Sequence, residues 1–327
     1  MAAEKNVIPA SVTDIEGVFV GHSTNAAAGT GCTVIVCPEG ATGAVDVRGG
    51  APATRETDLL RPEETVQELH AVVLSGGSAF GLAASAGVAD ELERRGIGLD
   101  VAVARVPIVS GACLFDLSCG EASVRPTYDD GVTAVADAMG REPGHSLERG
   151  NVGAGTGCTV GKLGDPSLAM KSGLGEDVES AGEVVCGAIS AVNACGDVVD
   201  PETGAPIAGM RDPEGGLAST TDVLLNMVAS MPLERTNTTI SCVVTNTRLT
   251  KAEATKVAQM SADAYAHAIR PTHTTNDGDT IFVMATGRVS APVDVVGALA
   301  TRALERAIAD AARQAESAYG FVAARDL

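Results

Sequence analysis

The sequence predicts an α/β fold, and three observations carry that prediction. Runs of strand length, rich in Val, Ile, Cys and Thr, recur along the chain. Stretches with the apolar spacing of helices alternate with them. Glycine occupies 38 of the 327 positions and supplies turns and close backbone contacts between the two. Aromatic residues make up only 2% of the chain and Trp is absent, so the core has to be filled with Ala, Val, Ile and Leu. The length suffices for one large domain or two small ones.

The elements follow in order. Residues 7–20 and 32–37 read as strands, and 43–48 as another that closes at Gly49-Gly50. Residues 71–74 make a short buried strand that runs into Ser75-Gly76-Gly77-Ser78, then a helix over about 80–95 that ends at Gly96. Such a turn either presents backbone N–H groups to a ligand or lets helix and strand pack closely. It is not a nucleophile elbow, because Phe80 stands where G-x-S-x-G needs Gly. Strand-like runs at 100–109 and a helix over 131–139 follow. Residues 150–162 fit neither a Walker A loop nor a dinucleotide fingerprint. They read as a glycine-rich strand or turn that carries Lys162, in a chain with five lysines against 18 arginines. Residues 184–199 read as a strand pair, and the proline-bearing stretch 200–237 as a long loop. Residues 240–245 form a buried strand. Thr250, with Glu253 in the capping-box position, starts a helix that runs to about 269. Asp277-Gly278-Asp279 leads into a further strand, and an amphipathic helix spans about 293–317.

Charge and cysteine usage exclude some classes of function. A net charge of −19 argues against nucleic acid or an anionic membrane surface as partner. No apolar run is long enough for a transmembrane helix, and the first twenty residues lack the order of a signal peptide, so a cytoplasmic location is expected. The Asn237-Thr238-Thr239 glycosylation sequon is discounted on the same ground. The eight cysteines include no CxxC pair, and most lie in apolar runs, which suits buried, reduced thiols. With no H-E-x-x-H and no Cys/His ligand set, neither a metal nor a cofactor is expected.

The chemistry concentrates around residue 238. A polar stretch feeds there into the strand at 240–245, and the hydroxyl of Thr238 stands at the junction. An N-terminal-nucleophile hydrolase needs that arrangement. The hydroxyl attacks the preceding peptide bond, and the freed amine then serves as base for the same hydroxyl. An ordinary strand start gives the same pattern. Asn193 sits between apolar runs, where its amide needs hydrogen-bond partners and could donate to an oxyanion. Lys162 reads either as a solvated turn lysine or as a functional cation, and Asp277-Gly278-Asp279 either as a β-turn or as a pair of working carboxylates.

Taken together, Asn237-Thr238-Thr239-Ile240, Val244-Thr245-Asn246, Arg270-Pro271, His273-Thr274 and Asp277-Gly278-Asp279-Thr280 resemble the L-aminopeptidase/D-amidase/esterase family of self-processing hydrolases. Gly49-Gly50, Gly76-Gly77, Phe80-Gly81-Leu82, Gly153-Ala154-Gly155, Gly161-Lys162 and Val192-Asn193 fall in the family's order, so the resemblance covers nearly the whole chain. Within the family it is most similar to the nylon-oligomer (6-aminohexanoate-oligomer) endohydrolases. The resemblance implies a four-layer α/β/β/α sandwich, a single domain over 1–327, cleaved into 1–237 and 238–327 and assembled as a homo-oligomer of such pairs. It implies Thr238 as nucleophile, Asn193 as oxyanion donor, Lys162 as the active-site lysine, and Asp277 and Asp279 as partners of the new amine. The substrate it implies is a small peptide or amide. Phe115 falls where the nylon hydrolases carry Tyr, and the hydroxyl is missing here. An acyltransferase of the ornithine acetyltransferase type, and an unprocessed binding protein holding an anion at Gly76-Gly77 or along 155–162, are the alternatives.

Overall fold

In the computed structural model, which describes residues 10–163, 165–226 and 237–327, the strands alternate apolar side chains to both faces. Each strand therefore needs a covered surface on either side, and this requirement sets the architecture. The strands are β1 (Phe19–Asn25), β2 (Thr30–Val47), β3 (Thr54–Arg55), β4 (Leu69–Ser75), β5 (Val109–Cys113), β6 (Leu174–Ala181), β7 (Val184–Asn193), β8 (Asp197–Val199), β9 (Thr238–Thr247) and β10 (Thr280–Val289). The helices are α1 (Ala84–Arg94), α2 (Tyr128–Gly140), α3 (Thr220–Asn226), α4 (Lys251–Ser261), α5 (Asp263–Ala268) and α6 (Val293–Gln314).

The strands hydrogen-bond in the order β6-β7-β9-β10-β2-β4-β5-β3, with β1 on the free edge of β2. β2 joins two layers. Its first half pairs with β1 and β4, its second half, Thr42 to Val47, pairs with β10, and the register with β4 shifts between Val36 and Ala41. Ile35, Val72 and Leu74 of one layer face Ile189, Ile240, Cys242, Phe282 and Met284 of the other, which makes the central core. The opposite faces carry the helices. Val34, Val36, Ala71 and Val73 pack under α1 and α2. Ala188, Val243, Ile281 and Val283 pack under α4, α5 and α6. The result is the expected α/β/β/α sandwich. All eight cysteines are buried free thiols, spread over these layers.

Several expected elements differ. Residues 7–9 lie outside the described residues, Val12–Asp14 is a short 3-10 turn capped by Ser11, and the strand begins only at Phe19. The two strands expected at 32–37 and 43–48 are halves of β2, because Pro38 and Gly40 bend the chain between sheets without ending it. Of the runs at 100–109, Leu99–Asp100 and Arg105–Val106 form a small hairpin, and the core strand is Val109–Cys113. The strand pair at 184–199 is no pair. β7 lies between β6 and β9, whereas β8 pairs with Pro206–Ala208 and Ile269–Arg270. The long loop at 200–237 contains Pro206–Ala208 and α3, and its residues 227–236 lie outside the described residues. The capping box at Thr250 and Glu253 is present, but the helix breaks at Ala262 into α4 and α5.

Lys171 has an unusual place in this core. It is fully buried, and its ammonium donates to the carbonyls of Gly155, Cys158 and Ser172 at 3.2, 3.0 and 2.5 Å. It thereby fastens the glycine-rich turn that carries Lys162.

Candidate active site

Thr238 is the first residue of β9, and antiparallel register sets it opposite Asn193, the last residue of β7. On the other side, β10 runs parallel to β9 and brings its preceding loop alongside, so that Asn237 bridges to Asp277. The chain after β2 ties that loop down. The N–H groups of Arg48 and Gly49 donate to the Asp279 carbonyl at 3.0 and 3.2 Å, and that of Ala51 to the Asp277 carbonyl at 2.8 Å. A Cβ on Gly49 would lie 2.2 Å from the Asp277 carbonyl oxygen, so only glycine permits this approach.

The bond between Asn237 and Thr238 is surrounded by donors. The Thr238 hydroxyl donates to the Asn237 carbonyl oxygen, and the Gly278 N–H donates to the same oxygen at 3.2 Å. A Cβ on Gly278 would stand 2.8 Å from Thr238 Oγ1, so the loop reaches the hydroxyl only because residue 278 is glycine. Both Asn237 and Thr238 are buried.

Two carboxylates flank this bond and differ in their partners. Asp279 accepts the Thr239 N–H on Oδ1 at 2.7 Å. Its Oδ2 accepts the His273 N–H at 3.1 Å and the Thr272 hydroxyl at 3.2 Å, and lies 2.9 Å from His273 Nδ1. Asp277 accepts the Thr274 N–H on Oδ2 at 2.6 Å, while its buried Oδ1 has no hydrogen-bond partner among the described residues. Burial, and then the charge of Asp279, push Asp277 up to about 6 against the pull of Thr274 and Lys162.

Lys162 Nζ donates to the Asn193 carbonyl at 2.8 Å. Burial lowers its pKa to about 8, opposed by Cys158, Cys195 and Asp277. The Asn193 amide is buried, with Oδ1 accepting from Thr159 N–H at 3.0 Å and Nδ2 donating to the Phe115 carbonyl at 2.7 Å. Lys162, Asn193, Asn237, Thr238, Asp277 and Asp279 therefore converge on one place.

Three groups to which spacing assigns no role also meet here. His273 holds Asp279 and stacks on Tyr265, with ring centroids 5.2 Å apart. The Tyr265 hydroxyl donates to the Thr239 carbonyl at 3.1 Å and bonds Ser241 Oγ at 2.8 Å, bracing β9 one residue beyond Thr238. The third group is the Gly278 N–H. His273 stood within the motif, but its contact with Asp279 depends on a left-handed backbone, φ 55°, that spacing does not reveal.

A pocket of about 340 Å³ opens on Thr238 and Asn237, lined by Ala51, Pro52, Ala53, Ser78, Cys113, Phe115 and Asn276, among others. A larger one of about 390 Å³ lies by β8 and α3, between Asp197 and Arg270, and Thr238 does not line it. The chemistry selects the smaller pocket. The turn at Gly76-Gly77 holds no open anion site. Its Gly76, Gly77 and Ser78 N–H groups donate to the Gly31 carbonyl, Asp116 Oδ1 and the Leu114 carbonyl at 2.9, 2.7 and 2.8 Å. Along the other glycine-rich turn, the N–H groups of Gly161 and Lys162 donate to the Gly196 and Cys195 carbonyls at 3.1 and 3.0 Å.

Residues 10–325 match the sequence profile of peptidase family S58. An uncharacterized aminopeptidase of Mycobacterium leprae is 40% identical, over 98% of this chain and 94% of its own length. A 6-aminohexanoate-oligomer endohydrolase of Paenarthrobacter ureafaciens is 31% identical, over 92% of this chain and 85% of its own. The L-aminopeptidase D-Ala-esterase/amidase of Ochrobactrum anthropi, described as a variant of the Ntn hydrolase fold, superposes with a TM-score of 0.69 over 99% of this chain and 93% of its own. At 17% identity that likeness shows a shared fold.

Proposed function

Because this chain belongs to peptidase family S58 and is a hydrolase of peptide or amide bonds, we propose that it cleaves itself between Asn237 and Thr238 and then works through an acyl ester on Thr238. The observation that supports this most is the contact at the bond itself. The Thr238 hydroxyl touches the Asn237 carbonyl, and the Gly278 N–H sits on the oxygen that would gain charge.

In this reading Thr238 Oγ adds to the Asn237 carbonyl carbon. The C–N bond breaks, the hydroxyl proton goes to the Thr238 nitrogen, and an ester joins the two residues. Water hydrolyses the ester, leaving Asn237 as a carboxylate and Thr238 with a free amine and hydroxyl. The amine then acts as base for Oγ on an incoming amide. Asp277 and Asp279 orient the ammonium form, which is consistent with Asp279 already holding the next N–H along, that of Thr239. Asn193, opposite Thr238, is the oxyanion donor for the tetrahedral intermediates that form and break the acyl ester, and Lys162, bound to the Asn193 carbonyl, is the cation that balances the two carboxylates. Small peptides or amides are the substrates that fit a pocket of about 340 Å³.

Intact-mass measurement and N-terminal sequencing test the reading. Wild-type protein is expected as two chains, the smaller beginning at Thr238. Thr238→Ala is expected to remain one chain with no hydrolytic activity, because the substitution removes the hydroxyl that contacts that carbonyl. A Thr238→Ala protein that still splits at this bond would sink the proposal.

A further inference from the structure

We propose that Tyr265, His273 and Asp279 form a clamp around Thr239 that holds the new chain end in place once the bond before Thr238 is cut. This rests on the self-cleavage reading above and assigns positioning residues to the site that cleavage creates. The contacts close into a circuit. Asp279 Oδ1 takes the Thr239 N–H at 2.7 Å, and the Tyr265 hydroxyl donates to the Thr239 carbonyl at 3.1 Å. The other oxygen of Asp279, Oδ2, lies 2.9 Å from His273 Nδ1 and takes the His273 N–H at 3.1 Å. The imidazole in turn lies against the Tyr265 ring, 24° from parallel. Both backbone polar groups of Thr239 are thus held by side chains that brace one another. Thr239, Tyr265 and Asp279 are all buried.

The place of the clamp in the sheet gives it a task. β9 pairs with β7 from Thr238 onward, but its ladder with β10 starts only at Ile240. At Thr239, side chains take the hydrogen bonds that a neighbouring strand would otherwise supply. Before cleavage Thr238 has a second anchor, its peptide bond to Asn237, which bridges to Asp277 and accepts the Gly278 N–H at 3.2 Å. Cleavage removes that anchor. Free chain ends fray unless they are tied down. A base and a nucleophile carried on the first residue have to stay within about 0.5 Å of their working geometry. The clamp is therefore spare before cleavage and needed after it.

Two substitutions open the circuit at different points. His273→Gly keeps the backbone N–H on Asp279 and suits the φ of 55°, but removes the ring. Tyr265→Phe keeps a ring against His273 and removes the hydroxyl from Thr239. Each is made in the wild type and in the uncleavable Thr238→Ala background. Intact mass reads cleavage, and hydrogen–deuterium exchange is followed over residues 240–247 of β9. Both variants are expected to cleave. In the processed protein each is expected to speed exchange at the start of β9 about tenfold, as the loss of roughly one buried hydrogen bond would. In the Thr238→Ala chain the same substitutions are expected to change it less than about twofold, because the peptide bond still anchors the strand. Residues 32–37 of β2 are expected to exchange as in the parent protein, which reports an intact fold. An equal increase in both backgrounds, no increase in the processed protein, or failure of both variants to cleave while the wild type does, overturns the proposal and leaves the self-cleavage reading intact. A wild type that remains one chain overturns that reading and this inference with it.

Discussion

Asp277 is the residue whose surroundings oppose its ordinary chemistry. Its carboxyl is buried beside Asp279, one oxygen lacks a partner among the described residues, and burial and then Asp279 push its pKa from 3.8 up to about 6. A folded-state value above the unfolded one means that the native protein binds this proton more tightly. Stability is then fully present below about pH 4 and is lost as the pH rises towards 6. The uncleavable Thr238→Ala background isolates this term. There, adding Asp277→Asn is expected to raise the melting temperature above about pH 6, with the gain shrinking to nothing near pH 4. Melting curves across pH check it, and a gain largest at low pH would contradict it. Type and spacing alone left Thr238 readable as an ordinary strand start and Asp277-Gly278-Asp279 as a β-turn, and the family resemblance is what joined them as candidates. His273 gained no role from either, since its pairing with Asp279 is a property of backbone conformation.

At the scale of elements, the glycine-rich turn before Lys162 depends on a neighbouring residue. Scarcity of lysine pointed to Lys162, yet the same signal applies to Lys171 and Lys251. All three place Nζ on backbone carbonyls, Lys251 on those of Leu59, Glu64 and Val66. Composition could flag the residue type but could not tell a fastener from a member of the site, because that depends on what the loop faces after folding. Lys171→Met removes the donor for the carbonyls of Gly155, Cys158 and Ser172. Relief from burying an ammonium offsets part of the loss, and the expected net cost is about 3 kcal/mol. Urea denaturation at unchanged m-value would measure it, and turnover is expected to fall as Lys162 loses its support. A variant as stable as the wild type would show that the cage contributes nothing. Strand positions were also better read than pairings. Residues 184–199 carry two strands, but Gly196 between them lets β8 leave the sheet for Ile269–Arg270.

At the scale of the molecule, α/β character was readable because strand-length apolar runs alternate with stretches of helical spacing. The joining of 32–37 and 43–48 was not, because Pro38 and Gly40 look like a stop and act as a bend. No helix among the described residues is long and apolar enough to cross a membrane. The placement of the thiols has a further consequence. Cys32 lies under α1 and α2, Cys37, Cys158 and Cys242 between the sheets, and Cys186 under α6. Burial raises the pKa of each, which keeps them protonated and poor nucleophiles. Iodoacetamide is therefore expected to leave these five unmodified in the native protein and to label them fully in denaturant, which peptide mass mapping would read. Prompt native labelling of Cys242 would refute the closed core. Between those limits, each alkylation rate times the breathing of one layer, so the chain carries its own set of opening clocks, one or more for every seam of the sandwich.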